Sequence, residues 1–201
     1  MEFIKTFLFI FAVIDPLGSI PVYLEATKQF NRGAKRRIAV KATVIAMFVL
    51  YFFIAVGQYI MEGMHITLSA FQISGGLILF LFALTMVFGH SKPEEELHLI
   101  KDYDHVTVFP IAIPSIASPG AIMGVVLLTD NHVYSLKEQL ATSFIVFLVL
   151  LVTCIMLLSA TKIQERIGQT GIIVISKVMG LILASFAIQS ILSGIKDYFH
   201  I

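Results

Sequence analysis

The chain has 201 residues, of which 58% are hydrophobic and only 13% are charged, and its formal net charge is +1. Soluble domains carry about 25% charged residues, so this chain has too few charges to cover a water-facing surface. The composition therefore excludes an ordinary soluble domain. It also lacks a basic surface with interleaved aromatic residues, so we expect lipid and no nucleic acid around it.

Six apolar runs are long enough to cross a bilayer, since a helix needs about 20 residues to span the hydrocarbon core. The runs are too long, and lack the two-residue alternation, for the strands of a membrane barrel. We predict one all-α polytopic membrane domain over residues 1–201, with short connections between the helices. The six predicted spans are residues 4–26, 42–61, 66–89, 106–129, 139–161 and 171–195.

The first run contains "AVIDPLGSIPVYL" (residues 12–24), an apolar stretch interrupted by an aspartate, two prolines and a glycine. Asp15 lies about 18 Å along a helix that starts the run, which is near the middle of a core about 30 Å thick. A carboxylate at that depth costs at least ~2.5 kcal/mol. Asp15 is a good N-cap and Pro16 a good first helical residue. We therefore predict a broken span, with a half-helix beginning at Pro16 and free amides at Gly18 and Ser19.

Basic residues cluster directly after this first run. The segment 28–41 holds six lysines and arginines and no acidic residue. Positive charge in short connections marks the cytoplasmic side, so this side is predicted to be cytoplasmic, together with the segments 90–105 and 162–170. Both termini are then external, and the protein resides in the cell membrane (the inner or plasma membrane).

The third run carries three small residues in succession, Ser74, Gly75 and Gly76. Small residues let helices approach closely in a membrane. We interpret these residues mainly as packing sites, and secondarily as places where a substrate reaches the backbone.

The fourth run repeats the pattern of the first. In "IPSIASPGAI" (residues 113–122), Ser118 is a candidate N-cap, Pro119 takes the first helical position and Gly120 follows. Pro110 and Pro114 loosen the half that precedes this break. We therefore predict a second broken span.

The chain also resembles itself at a nearly constant offset. "GLILFLFA" (residues 76–83) matches "GLILASFA" (residues 180–187), and the prolines of the two breaks are separated by the same interval to within one residue. Each copy has three spans, which is an odd number, so the chain ends the first copy on the other side of the bilayer. The second copy therefore enters the bilayer from the opposite side. We predict a 3+3 inverted-topology repeat, with copies at 1–90 and 104–201, which is a design associated with secondary transporters.

The two predicted breaks carry different chemistry, a carboxylate in the first and a neutral hydroxyl in the second. Facing each other across the repeat axis, they would form a polar chamber suited to an amino-acid zwitterion. The substrate's carboxylate would accept hydrogen bonds from the amides of Gly120 and Ala121, and its ammonium would lie near Asp15 or near loose backbone carbonyl groups. A coupling cation, Na⁺ or H⁺, would compete for Asp15. Gln189 either lines this chamber or satisfies a neighbouring helix.

The sequence offers no pair of nucleophile and base, no phosphate-binding loop and no metal-ligand pair on one helix, so we expect neither an enzyme nor a cofactor. An exporter of other small solutes on the same fold remains the alternative to an amino-acid transporter. The sequence leaves open whether the chain works alone or as a homo-oligomer.

Four stretches, "IDPLGSIPVYL", "ISGGLILF", "IPSIASPGAI" and "MGLIL", resemble the MarC family of six-span membrane proteins, and the resemblance covers nearly the whole chain. Members of the SnatA type are described as transporters of small neutral amino acids such as glycine and alanine. The resemblance therefore implies cation-coupled transport of that class. The substrate-binding residues that we predict are Asp15, Pro16, Gly18, Ser19, Ser74, Gly75, Ser115, Ser118, Pro119, Gly120 and Gln189.

Overall fold

The computed structural model describes residues 3–88 and 103–199, and the regular elements within these ranges are helical. Five helices there are long and apolar enough to cross a membrane, or six when the bent pair 103–116 and 119–127 counts as one span. The all-α membrane fold is thus confirmed. The elements are α1 (Phe3–Ile14), α2 (Ser19–Ala26), α3 (Arg32–Gly63), α4 (Leu68–Phe88), α5 (Tyr103–Val106), a π segment (Thr107–Ile116), α6 (Pro119–Leu127), α7 (Leu136–Leu158) and α8 (Ala160–Phe199).

Two helices continue past the apolar runs that were predicted as spans. The second predicted span, residues 42–61, lies within α3, which begins at Arg32, where Asn31 accepts a hydrogen bond from the Ala34 N–H at 2.9 Å. The segment 162–170, predicted as a connection, belongs to α8 and is interrupted only at Gly168, whose φ is 74°. That left-handed conformation favours glycine. The predicted connection 90–105 lies, up to residue 102, outside the described residues.

The span formed by α1 and α2 lies at the centre of the molecule. Ile10, Val13 and Ile14 of α1 are fully buried, and α1 packs against α6, α7 and α8. By contrast, α4 and α8 expose large apolar side chains such as Leu81 and Leu181. These exposed faces are where a membrane protein meets lipid, so the interrupted span is surrounded by protein and the outer helices shield it.

Glycines let α4 and α8 pack closely in antiparallel directions. A Cβ atom at Gly76 would lie 2.9 Å from the Ala187 carbonyl oxygen and 2.7 Å from the Ile191 side chain. A Cβ atom at Gly180 would lie 3.1 Å from the Ala83 carbonyl oxygen and 3.0 Å from the Val87 side chain. The two sets of contacts are reciprocal between the matched octapeptides, as a two-fold relation between the helices would produce. The complete 3+3 repeat stays a prediction.

Adding a methyl group to either glycine of this contact is expected to destabilise the protein. Gly76→Ala and Gly180→Ala should each lower the free energy of unfolding by about 1–3 kcal/mol, because backbone oxygens lie against both positions and cannot move aside. The two losses should be similar, since the two surroundings are alike. Thermal unfolding of the purified protein in detergent measures them.

The matched control is Gly63→Ala, because no atom lies within 4 Å of the added methyl group at that position. It should leave the melting temperature unchanged or slightly raised, since alanine favours helix more than glycine does. A loss in only one of the two variants of the contact would contradict its reciprocal character.

Candidate functional site

The first break begins where α1 ends, at Asp15. This residue has a φ of 48°, a left-handed conformation that aspartate tolerates better than most residues. Its Oδ1 atom accepts a hydrogen bond from the Gly18 N–H at 2.9 Å, as a capping carboxylate does. The helix α2 begins at Ser19, so the predicted start at Pro16 is wrong. Residues 16–18 form a turn, closed by a hydrogen bond of 3.1 Å from the Ser19 N–H to the Asp15 carbonyl oxygen. The amides of Gly18 and Ser19, predicted to be free, are therefore both paired with Asp15.

The carboxylate of Asp15 is buried against this turn. Asp15 is 4% exposed, and it lies at the middle of the 24-residue apolar span Phe3–Ala26. A Cβ atom at Gly18 would lie 2.7 Å from Asp15 Cγ and would overlap a carboxylate oxygen. Glycine is therefore required at position 18 for the carboxylate to occupy its place.

The second break separates the π segment from α6, and the chain bends there by 52°. Ser118 has an extended backbone, and its Oγ atom accepts a hydrogen bond from the Ala121 N–H at 3.0 Å. The prediction that Ser118 caps a half-helix starting at Pro119 is thus confirmed. Within the π segment, Phe109 and Ile113 are extended, as residues that precede a proline usually are.

Serine hydroxyl groups connect the two breaks directly. Ser118 Oγ donates to the Val13 carbonyl oxygen at 3.1 Å. Ser19 Oγ lies 3.2 Å from the Ser115 carbonyl oxygen and 3.0 Å from Ser115 Oγ. All three serines are 1% exposed. In this conformation the breaks therefore close on each other through buried hydrogen bonds.

Only part of the predicted site is brought together at this contact. Gly75 packs against Met123 of α6, and Gly120 would place a Cβ atom 3.1 Å from Leu79 of α4, so these glycines serve helix packing. Ser74 is exposed, and its hydroxyl donates to the Phe71 carbonyl oxygen of its own helix. Gln189 lies in a separate cavity. The predicted residues that form the two breaks are Asp15, Pro16, Gly18, Ser19, Ser115, Ser118 and Pro119.

Sequence reasoning missed most of that separate cavity, whose volume is about 200 Å³. Gln189 shares it with Gln72, Ser190, Ser193 and Tyr134. The available signal was the spacing of Gln189 and Ser193, which puts two polar side chains on one face of an apolar helix.

Removing the Ser118 hydroxyl should destabilise the second break. Ser118→Ala loses the cap of α6, worth about 0.5–2 kcal/mol, and the bond to Val13, worth about 1 kcal/mol. We expect a lower melting temperature for the purified variant. The control is Ser185→Ala, because the Ser185 hydroxyl is exposed and bonds only to Leu181 of its own helix. Equal melting temperatures for the two variants would contradict the role of Ser118.

Comparison with known proteins places the whole chain in one group. The model of the family described as MarC family integral membrane protein matches residues 1–199. A UPF0056 membrane protein of Pyrococcus horikoshii is 35% identical over 210 residues, covering 100% of both chains. Similar proteins of Aquifex aeolicus (32% over 199 residues, covering 97% of this chain and 92% of the relative) and Methanocaldococcus jannaschii (31% over 201 residues, covering 96% of each) carry the same description. No solved structure matches the chain.

Proposed function

Because the chain belongs to the MarC family of integral membrane proteins, we propose that it is a secondary transporter of small neutral amino acids of the glycine and alanine class. Transport is coupled to a cation, Na⁺ or H⁺, and proceeds by alternating access. The two breaks separate to admit the substrate and close again behind it.

The observation that carries this proposal is the buried carboxylate of Asp15 at the contact between two interrupted helices. An ionisable group inside a membrane span is expensive and marks a pathway for substrate or ions. Irregular backbone at membrane depth occurs only where protein buries it or where it lines a cavity. Both features coincide in the span Phe3–Ala26, which is the most buried of the five candidate spans other than the bent pair in the described residues.

The chemistry of the two breaks fits a zwitterion and a cation. At the first turn of α6, Pro119 has no N–H and the Ala121 N–H, predicted to bind the substrate, donates to Ser118 Oγ. The Gly120 N–H is left at this helix start, which attracts a carboxylate. Asp15 supplies a negative charge for an ammonium group or for the coupling ion. Serine hydrogen bonds of about 1 kcal/mol each hold the breaks closed, which is weak enough for a substrate to separate them.

The reciprocal contacts of Gly76 and Gly180 also support alternating access. In transporters built from inverted repeats, two halves of similar structure rock about a fixed central site. Helices that pack through a two-fold relation provide such a pair of halves.

The test is uptake of labelled glycine or alanine by purified protein in liposomes, under an imposed Na⁺ or H⁺ gradient. We expect saturable uptake that one of the gradients stimulates, and that collapses when an ionophore dissipates that gradient. Protein-free liposomes are the control. If no amino acid enters under either gradient while other small solutes are transported, the exporter alternative holds and the proposed function is wrong.

A further inference from the structure

A second candidate site lies on the surface of the protein, away from the two breaks, where α3 passes the start of α5. It is a groove of about 630 Å³, which we call the basic groove. Clefts of about 300–1,000 Å³ are typical of small-molecule sites. Its lining in the described residues combines cations with apolar side chains and consists of Arg36, Arg37, Val40, Lys41, Val44 and Tyr103.

Two of the three cations in the basic groove have no ionic partner in the part of the chain that the structure describes. Arg36 and Arg37 are exposed and make no ion pair there. Lys41 pairs with Asp104, and its Nζ atom lies 5.5 Å from the centroid of the Tyr103 ring. Three cations and the one carboxylate paired with them leave two net positive charges, which attract an anion to the groove.

Apolar side chains continue the basic groove along α3. Val40 and Val44 line it and are 47% and 50% exposed, and Phe48, one turn further, is 73% exposed. Val44 and Phe48 follow Arg37 and Lys41 at helical spacing, so these four side chains lie on one side of the helix. Phe48 is about 17 Å further along the helix axis than Arg37. This side of α3 therefore carries cations first and an exposed apolar surface after them.

A phospholipid has the same order of charge and apolar surface, with its phosphate at the membrane boundary and its acyl chains in the hydrocarbon core. Guanidinium groups bind phosphate through paired hydrogen bonds, and tyrosine is enriched at that boundary. Basic residues beside a membrane span attract the anionic lipids of the cytoplasmic leaflet, and the segment 28–41 is predicted to face that leaflet. A free phosphate would contact the arginines alone and leave the exposed valines unused, so a lipid fits the basic groove better.

The basic groove joins two separate parts of the membrane domain. Arg36 and Arg37 belong to α3, whereas Tyr103 begins α5 and packs edge-on against Phe30, with the ring centroids 6.2 Å apart. The π segment follows α5 directly, and the hydroxyl group of its Ser115 lies at the contact between the breaks. A molecule bound across the groove therefore contacts both α3 and the span that carries the second break.

We propose that the basic groove is a binding site for an anionic phospholipid, with the guanidinium groups of Arg36 and Arg37 on its phosphate and with Val40 and Val44 against the first part of an acyl chain. The site is independent of the proposed function, since none of its residues belongs to the two breaks. A bound lipid stabilises the folded protein, because the groove exists only when α3 and α5 are assembled.

The test is the affinity of the purified protein for phosphatidylglycerol in a non-ionic detergent, measured by native mass spectrometry. We expect phosphatidylglycerol to bind more tightly than phosphatidylcholine, whose headgroup has no net charge. The double variant Arg36→Gln/Arg37→Gln should bind phosphatidylglycerol about 10- to 100-fold more weakly, as the loss of one or two charge-assisted hydrogen bonds predicts. Its affinity for phosphatidylcholine should not change.

The matched control is Lys28→Gln/Arg32→Gln, which removes the same charge from two exposed positions of the same basic segment, outside the groove. It should keep the affinity of the wild-type protein. Arg36→Lys/Arg37→Lys preserves the charge, and with it the predicted orientation in the membrane. It should bind with intermediate affinity, because lysine lacks the fork of donors that arginine offers to phosphate. Equal losses in Arg36→Gln/Arg37→Gln and in the control would show a nonspecific effect of charge and overturn the inference.

Melting temperatures separate lipid binding from folding. Without lipid, Arg36→Gln/Arg37→Gln should melt at the temperature of the wild-type protein, since neither arginine has an ionic partner to lose in the described residues. Phosphatidylglycerol should raise the melting temperature of the wild-type protein and of the control, but not that of this variant. A rise of the same size in all three proteins would contradict a site at the basic groove.

Competition identifies the anion that the basic groove takes. Glycerol phosphate, which has the phosphate without the acyl chains, should not displace phosphatidylglycerol at equal concentration, and if it does, the groove is a site for a free anion and the inference is wrong. The inference is also wrong if phosphatidylglycerol binds only after Glu94, Glu95 and Glu96, which lie outside the described residues, are replaced by glutamine. The chain itself would then supply the anion.

Discussion

The variant Asp15→Asn is expected to fold and to lose the stimulation of amino-acid uptake by the cation gradient. In the wild-type protein, the Gly18 N–H donates to Asp15 Oδ1 at 2.9 Å. The asparagine side chain also has an oxygen that can accept this hydrogen bond, so we expect the turn to be retained. The substitution removes the negative charge of the first break, which attracts a cation or an ammonium group. The ratio of uptake with the gradient to uptake without it should fall to about 1, because a cation that no longer has a coupling free energy with the substrate cannot drive its uptake.

The matched control is Asp130→Asn, another buried carboxylate among the described residues. Asp130 is 2% exposed, lies in the loop after α6, and accepts a hydrogen bond from the His132 N–H at 2.7 Å. Asparagine can accept the same bond, and this loop lies outside the two breaks. Gradient-stimulated uptake should therefore persist in this variant. Were it to persist in Asp15→Asn as well, coupling through Asp15 would be disproved.

The positions of the two breaks could be predicted because the signals are local. An aspartate or serine before a proline, inside an apolar run, combines the preferences of an N-cap and of the first helical position. Ser118 and Pro119 behave as that rule states. At Pro16 the rule failed by three residues, because residues 16–18 form a turn beneath the Asp15 carboxylate, which accepts a hydrogen bond from the Gly18 N–H, and α2 begins at Ser19.

The surroundings of the glycines could not be predicted in the same way. Sequence shows that Gly75 and Gly120 are small, but the neighbouring helix that each of them meets depends on the packing of the whole bundle. Gly75 meets α6 and Gly120 meets α4, so both residues hold these two helices together and neither lines the contact between the breaks. Ser74, the neighbour of Gly75, lies on an exposed part of the helix surface.

The separate cavity that Gln189 lines depends even more on tertiary structure. Its polar groups come from α4, α8 and the loop after α6, which are distant in the sequence. Only Gln189 and Ser193, which belong to one helix, carried a local signal, and the unpaired state of Gln72 Oε1 is visible only once the helices are packed.

The contact between the breaks offers a second large effect, because it can be locked covalently. Ser19 Oγ and Ser115 Oγ lie 3.0 Å apart, and a disulfide joins sulfur atoms at about 2.05 Å, so small shifts would allow the corresponding cysteines to bond. In a Cys154→Ala background, Ser19→Cys combined with Ser115→Cys should form this cross-link on oxidation. The breaks could then no longer separate.

The single variants Ser19→Cys and Ser115→Cys, treated with the same oxidant, control for loss of each hydroxyl group and for oxidative damage. Both should keep measurable uptake, since each leaves the other contacts between the breaks in place. The reduced double variant should also transport, which shows that the two substitutions together are tolerated.

Uptake of labelled alanine by the double variant in liposomes, before oxidation, after oxidation and after renewed reduction, tests whether the two breaks must part for transport. We predict that uptake falls to the level of protein-free liposomes when the cross-link forms, and returns when it is reduced. Fully cross-linked protein that transports alanine as fast as the reduced protein would contradict this mechanism.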